Sequence, residues 1–234
     1  MNAAASANGI LRWRNLSMRW QIERLIEKTR LRIIKMWKMY RWILPLVLLG
    51  IVPSVSADTF SDGMRLHLKK DYFKSAQVFH GLAQAGHVRS QFMLGTIYEQ
   101  GLGLPSDLNA AAYWYEKAAT GNNPSAQYNL GIFYQFGKGV PKSAEKAAAW
   151  LLRAANNGHG KAQNNLSTFY YTGVGVKKDL AEAWKWLSLA ADQLKGAGRD
   201  IVLKNRTAIE KDMSSGEVAE AKRRLTVWRA ARKK

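Results

Sequence analysis

The chain repeats itself, and that constrains it more than any composition does. LGTIYEQGLGL at 94–104, LGIFYQFGKGV at 130–140 and LSTFYYTGVGV at 166–176 are one phrase written three times, each copy 36 residues after the last. A fixed period of this length means supersecondary units that cannot bury their apolar flanks alone and stack so that neighbours share a core. The repetition also disposes of a phosphate-gripping role for Gly137-Lys138-Gly139. Such a loop is built once, between a strand and a helix opened by Lys-Ser/Thr, and only the middle copy has the lysine. The glycines are structural punctuation.

Aligned on the period, the units run 87–122, 123–158 and 159–194. Small residues at Ser90, Ala126 and Ala162 are followed by Gln91, Gln127 and Gln163, then Leu94, Leu130 and Leu166, then Tyr98, Tyr134 and Tyr170. Small, leucine and tyrosine four apart fall on one helical stripe and predict a first helix. Gly101, Gly137 and Gly173 follow where a helix ends in the left-handed region. Gly103, Gly139 and Gly175 complete a turn that returns Leu104, Val140 or Val176 to the core. Asp107, Ser143 and Asp179 can each cap a new helix with a short side-chain oxygen. Behind each cap, Ala111/Ala147/Ala183, Trp114/Trp150/Trp186 and Ala118/Ala154/Ala190 predict a second helix with the tryptophans buried.

The segment 70–87 fits the second-helix pattern, with Phe79 expected in the tryptophan column and Ala83 in the alanine column. FSDGMRLHL before it makes a weak first helix, so 58–86 reads as a divergent opening hairpin. At the other end, residues 195–234 read as capping helices and a basic tail. Ser214-Ser215-Gly216-Glu217 has the spacing of a capping box, and Val218, Ala221, Leu225 and Trp228 form a stripe that would close the stack.

The pattern A-Q-x-x-L-G-x-x-Y-x-x-G-x-G-V, a cap, then A-x-x-W-x-x-A-A resembles the Sel-one-like repeat (SLR) family, relatives of tetratricopeptide repeats, over about residues 60–194. The resemblance departs at Ser167, in place of a small glycine, and at Lys177, in place of proline. It implies an all-α fold: a right-handed α/α solenoid of helical hairpins with a 36-residue period and C-terminal capping helices, whose concave surface binds proteins. It aligns Asn129 and Asn165 with an asparagine that hydrogen-bonds the ligand backbone in peptide-binding relatives; Met93 holds that column in the first full unit. With Tyr128, Gln135, Phe136, Asn164, Thr168 and Tyr171, further first-helix positions outside the core columns, these are the candidate partner-binding residues. Ordinary packing is the competing account of each.

The charge is unevenly spread. Of a net +19, residues 1–57 carry ten Lys/Arg against two Asp/Glu and residues 195–234 twelve against five, while the middle has fourteen against ten. The N-terminal excess belongs to an export leader: basic residues to Arg41, an apolar run from Trp42 to Val52, then Val55-Ser56-Ala57, with cleavage expected after Ala57. The run is shorter than the roughly 20 residues needed to span a bilayer, so a cleaved leader and a periplasmic or secreted protein are expected, an inner-membrane anchor facing the periplasm being the alternative. Met36 and Met39 stand where a leader of ordinary length begins, which points to a translation start at one of them; a cytoplasmic amphipathic extension that adheres to anionic lipid competes with that reading. The basic C-terminus is expected to touch anionic envelope lipids weakly at most, and nucleic acid is not an expected partner of an exported chain.

Chemistry finds little to work with. There is no cysteine, so thiolate catalysis, thiolate metal sites and disulfides are excluded. His67, His80, His87 and His159 lack ligand spacing. Ser143-Ala-Glu-Lys146 fits S-x-x-K, but no Lys-Thr-Gly or Ser-Asp-Asn accompanies it and Ser143 is already accounted for as a helix cap. The expectation is a monomeric, non-catalytic adaptor that needs no cofactor and holds a protein or peptide segment in its groove. A surface or secreted factor that recognises host proteins is the alternative, and a cell-wall-active or penicillin-binding enzyme ranks below both.

Overall fold

The computed structural model describes residues 59–232; the expected leader and the last two residues of the basic tail lie outside them. Residues 58–234 form one compact unit. Its described part contains ten helices and no strand: α1 (Phe60–Leu68), α2 (Tyr72–Gln84), α3 (Val88–Gln100), α4 (Leu108–Thr120), α5 (Pro124–Phe136), α6 (Ala144–Asn156), α7 (Gly160–Thr172), α8 (Leu180–Gln193), α9 (Gly196–Lys211) and α10 (Ser215–Ala230). Each first helix packs on the second helix of its own unit and on that of the unit before it. The result is a stack of hairpins, the α/α solenoid the period demands.

The recurring columns explain the stacking. Gln91, Gln127 and Gln163 are buried, and each donates from Nε2 to the carbonyl at the end of the preceding second helix, at Ala83, Ala119 and Ala155, over 3.1, 3.1 and 3.0 Å. One side chain per unit thus ties hairpin to hairpin, as a second donor to a helix-end carbonyl that already accepts the backbone amide of Gly86, Asn122 or Gly158. Each turn between the helices of a unit then lies on the unit before it. Gly103, Gly139 and Gly175 have φ of 70°, 62° and 71°, and a Cβ on them would strike the backbone at Tyr72–Phe73, Leu108–Asn109 and Ala144 respectively. Only glycine permits both the left-handed conformation and this approach. The turns therefore form one continuous row along an edge of the stack.

The tryptophan column does not hold the deepest positions. Trp186 is buried, but Trp114 and Trp150 are only half-buried. The residue one further on, Tyr115, Leu151 or Leu187, is at most 1% exposed, and Phe79 belongs to that column rather than to the tryptophans. That position points between two first helices: the Tyr115 ring lies 5.9 Å from Phe92 on α3 and 5.3 Å from Phe133 on α5. A glycine under three of the four side chains in this column admits them, since a Cβ at Gly63, Gly95 or Gly131 would collide with Phe79, Tyr115 or Leu151. Full burial of one of these side chains contributes about 1.5–3 kcal/mol.

The C-terminal cap also differs from a further hairpin. α9 and α10 each pack on α8, and neither takes the other as its main partner. α9 closes the end of the stack through Val202 and Ile209. α10 turns back along another face of α8, with Trp228 edge-on to Trp186 at 6.2 Å and Ala221 and Leu225 in the core. Arg224 fixes it by donating to Asp179 at 2.7 Å and Glu182 at 3.2 Å. Covered on both sides, α8 buries even Lys185, whose ammonium pairs with Glu182 at 2.7 Å.

Candidate functional site

Because each first helix is sandwiched between two second helices, one stripe of it remains for other contacts. On α5 this stripe comprises Tyr128, Asn129, Gln135 and Phe136, and on α7 Asn164, Asn165, Thr168 and Tyr171. Phe136, Thr168 and Tyr171 are exposed and the other five half-buried. The neighbouring α3 adds Thr96 and Glu99.

The asparagines do not stand free. The Asn129 amide faces the Tyr115 hydroxyl, which donates to Glu99 Oε2 at 2.6 Å and approaches Thr96 Oγ1 at 3.3 Å. Tyr115 thereby joins α3 to α5 through a polar atom at the rim of an apolar column. Burial, and then the Glu99 carboxylate, hold its hydroxyl protonated far above the ordinary tyrosine range. Asn165 faces the Tyr128 hydroxyl, whose pKa burial also raises. The Tyr128 ring stacks on His159 with centroids 4.6 Å apart. His159 caps α7 by accepting from the Ala162 amide at Nδ1, over 3.2 Å. Its pKa is pushed down, first by burial and then by Lys161, which favours the neutral ring that a capping acceptor requires. Tyr171 donates to Asp212 at 2.9 Å.

Two acceptors on the stripe are left over. Gln135 Oε1 and Asn164 Oδ1 are buried and find no donor among the described residues. A buried acceptor without a partner carries a desolvation cost of about 1–3 kcal/mol, so each side chain, itself only half-buried, gains by turning its oxygen out to an N–H that this unit does not provide.

Sequence reasoning missed Tyr115, Glu99 and the capping histidines. A tyrosine in a column otherwise holding phenylalanine and leucine was the available signal for the first. His87, Asn123 and His159 recur at the same period and all cap first helices, which was the signal for the last. The S-x-x-K motif has no nucleophile geometry: Ser143 Oγ accepts from the Lys146 amide at 3.2 Å and donates to Glu145 at 2.9 Å, while the Lys146 ammonium lies over the Tyr134 ring. Among the described residues no group of three or more His, Asp or Glu could hold a metal, and no helix is long and apolar enough to cross a membrane.

Comparison with protein families assigns residues 88–123, 124–159 and 160–193 to the Sel1 repeat model. The chain carries three Sel1 repeats. Their starts fall one residue after those read from the sequence period, because the family unit opens on the helix rather than on its cap. Among solved structures, a Sel1 repeat protein from Oxalobacter formigenes is similar at 28% identity and a TM-score of 0.58, covering 62% of this chain and 59% of that one. This Sel1-repeat chain thus spans less than two thirds of that relative. A protective antigen with an SLR fold from uropathogenic Escherichia coli matches at 24% identity and a TM-score of 0.49, over 72% of this chain and 44% of its own. The cysteine-rich protein B of Helicobacter pylori matches at 22% and 0.40, over 61% and 96%. Curated protein sequences gave no match. Sel1-repeat proteins are generally protein–protein interaction scaffolds, and the fold is generally a non-catalytic one.

Proposed function

We propose that this Sel1-repeat protein is an exported, non-catalytic adaptor that holds an extended segment of a partner protein along the stripe of α3, α5 and α7. The observation that carries this reading is the pair of unpartnered carbonyl oxygens, Gln135 Oε1 and Asn164 Oδ1. Side-chain amides on successive helices suit an extended backbone, because each offers an acceptor for a peptide N–H and a donor for a peptide carbonyl. Exposed Phe136 and Tyr171 flank them and give a partner's side chains apolar surface to cover. Export rests on the leader pattern at 42–57.

A photo-crosslinking amino acid placed at 136 or 171, in the full chain expressed with its own leader, tests the site. The same band from both positions, absent when the crosslinker stands at Tyr113 or Val227, is the expected result; both controls are exposed, Tyr113 on the second helix α4 and Val227 on the capping helix α10. Equal crosslinking from all four positions, or none from 136 and 171, would remove the stripe as the binding face. Fractionation of the same cells tests export, with a pool of the mature size outside the cytoplasm expected.

A further inference from the structure

The row of turns along one edge of the stack carries a pattern that the groove reading does not use. In each unit the first helix ends there, and several of the chain's exposed large apolar residues gather at that edge. Leu68 is 77% exposed, Phe136 63% and Val174 55%. Leu68 and Phe136 occupy the same place, the last residue before the helix C-cap. Lysines alternate with them: Lys69, Lys70, Lys138, Lys142, Lys177 and Lys178, all exposed. Of these only Lys138 has a carboxylate within ion-pair reach among the described residues, Glu99 at 4.0 Å.

The acidic groups on the same edge are already engaged. Asp71 pairs with Lys74, Asp107 accepts two amides at the start of α4, Glu145 accepts from Ser143, Asp179 holds Arg224 and Asp212 holds the Tyr171 hydroxyl. Beside Lys177 and Lys178, Glu217 caps α10 at Ser214 and Glu220 holds Arg223 and Arg224. Five of the six lysines thus have no ion pair among the described residues, apolar side chains stand between them, and the backbone contacts at Gly103, Gly139 and Gly175 fix these turns in one row.

We propose that this row of turns docks on an anionic phospholipid surface, with Leu68, Phe136 and Val174 entering the headgroup region and the six lysines meeting lipid phosphates. Three features favour a bilayer over an acidic protein. Leu68 and Lys69 border one recess and Lys177 and Lys178 another, with the others strung along the row, so no single recess gathers them. The cations are all lysine, a point charge that suits an extended field of phosphates, whereas arginine suits bidentate carboxylate recognition. The apolar residues stand singly at turn ends, where they can enter an interface without a complementary pocket. The lysines and the row of turns are observations separate from those behind the groove; Phe136 alone is common to both.

Residues 58–234, which contain every core cluster described above, are tested by flotation with vesicles of phosphatidylcholine alone and of phosphatidylcholine mixed equally with phosphatidylglycerol. Binding to the mixed vesicles only, weakening as salt is raised, is expected. Each lysine near an anionic surface strengthens partitioning about fivefold, so Lys177→Ala/Lys178→Ala should weaken it about 25-fold and Leu68→Ser/Val174→Ser should also weaken it. Lys117→Ala/Arg153→Ala, exposed in the last turns of α4 and α6 at the end opposite the row, should leave it unchanged, and circular dichroism should show the parent helix content in all variants. No binding of the parent to mixed vesicles would overturn the proposal. So would equal binding by the Lys177/Lys178 variant, or loss of binding only on the Lys117/Arg153 change. Binding to soluble poly-glutamate but not to vesicles would overturn it in favour of an acidic protein partner.

Discussion

Removing one oxygen from the middle of the stack tests how its units are coupled. Tyr115→Phe keeps the buried ring against Phe92 and Phe133 but deletes the hydroxyl that donates to Glu99 over 2.6 Å. A hydrogen bond to a charged group contributes about 1.5–3 kcal/mol. The Glu99 side chain is 27% exposed and water can take over part of the lost contact, so we expect a loss of about 1–2 kcal/mol. For a unit of this size that lowers the thermal midpoint by about 2–8 °C. The variant should also change the alkaline limb of stability. The hydroxyl's pKa is raised above the ordinary value of 10.0 in the folded state. Its contribution is therefore complete below about pH 10 and lost as pH rises toward the folded value. Thermal melts of parent and Tyr115→Phe across neutral to alkaline pH should converge as the pH climbs, though the raised pKa values of Tyr128 and Tyr170 leave some pH dependence in both. Coincident melts at neutral pH would refute the coupling assigned to Tyr115.

His159→Asn should flatten acid sensitivity: the depressed folded pKa of His159 gives stability that is complete above about 6.5 and lost as pH falls through the folded value, and Asn123 shows that asparagine caps the equivalent helix; denaturant midpoints from pH 7 to 4 check this. Gly139→Ala should cost about 2–4 kcal/mol, because it combines a left-handed backbone with a clash against the start of α4, read from urea unfolding. Arg224→Ala should loosen α10 at a cost of about 1 kcal/mol, a figure kept low because the guanidinium is 30% exposed, and should speed hydrogen exchange in α10 before that in α3 to α7.

The period made the architecture legible. Glycine at the ends of α3, α5 and α7, and Asp107, Ser143 and Asp179 at the starts of α4, α6 and α8, act through local backbone chemistry that any single unit reveals. Burial within the second helix was misread by one position. Both Trp114 and Tyr115 are large and aromatic, and a helical stripe is wide enough to admit either; only the glycine beneath Tyr115 decides between them. The course of α10 was illegible for another reason. Its stripe of Val218, Ala221, Leu225 and Trp228 says that one face is buried but not against which face of α8, and the deciding contacts, Arg224 to Asp179 and Trp228 to Trp186, join residues 45 and 42 positions apart. At the candidate site the amides were identifiable as first-helix positions, whereas the division between those facing tyrosine hydroxyls and those left without a donor depends on side-chain geometry.

The most direct test of the adaptor reading is the affinity of the crosslinked partner segment, made as a synthetic peptide, for residues 58–234 and for Gln135→Ala/Asn164→Ala, measured by fluorescence anisotropy. Two hydrogen bonds of about 0.5–1.5 kcal/mol each predict a loss of about fivefold to more than a hundredfold in affinity, with the melting temperature held. Equal affinity for the two proteins would contradict the claim that these amides hold a partner's backbone.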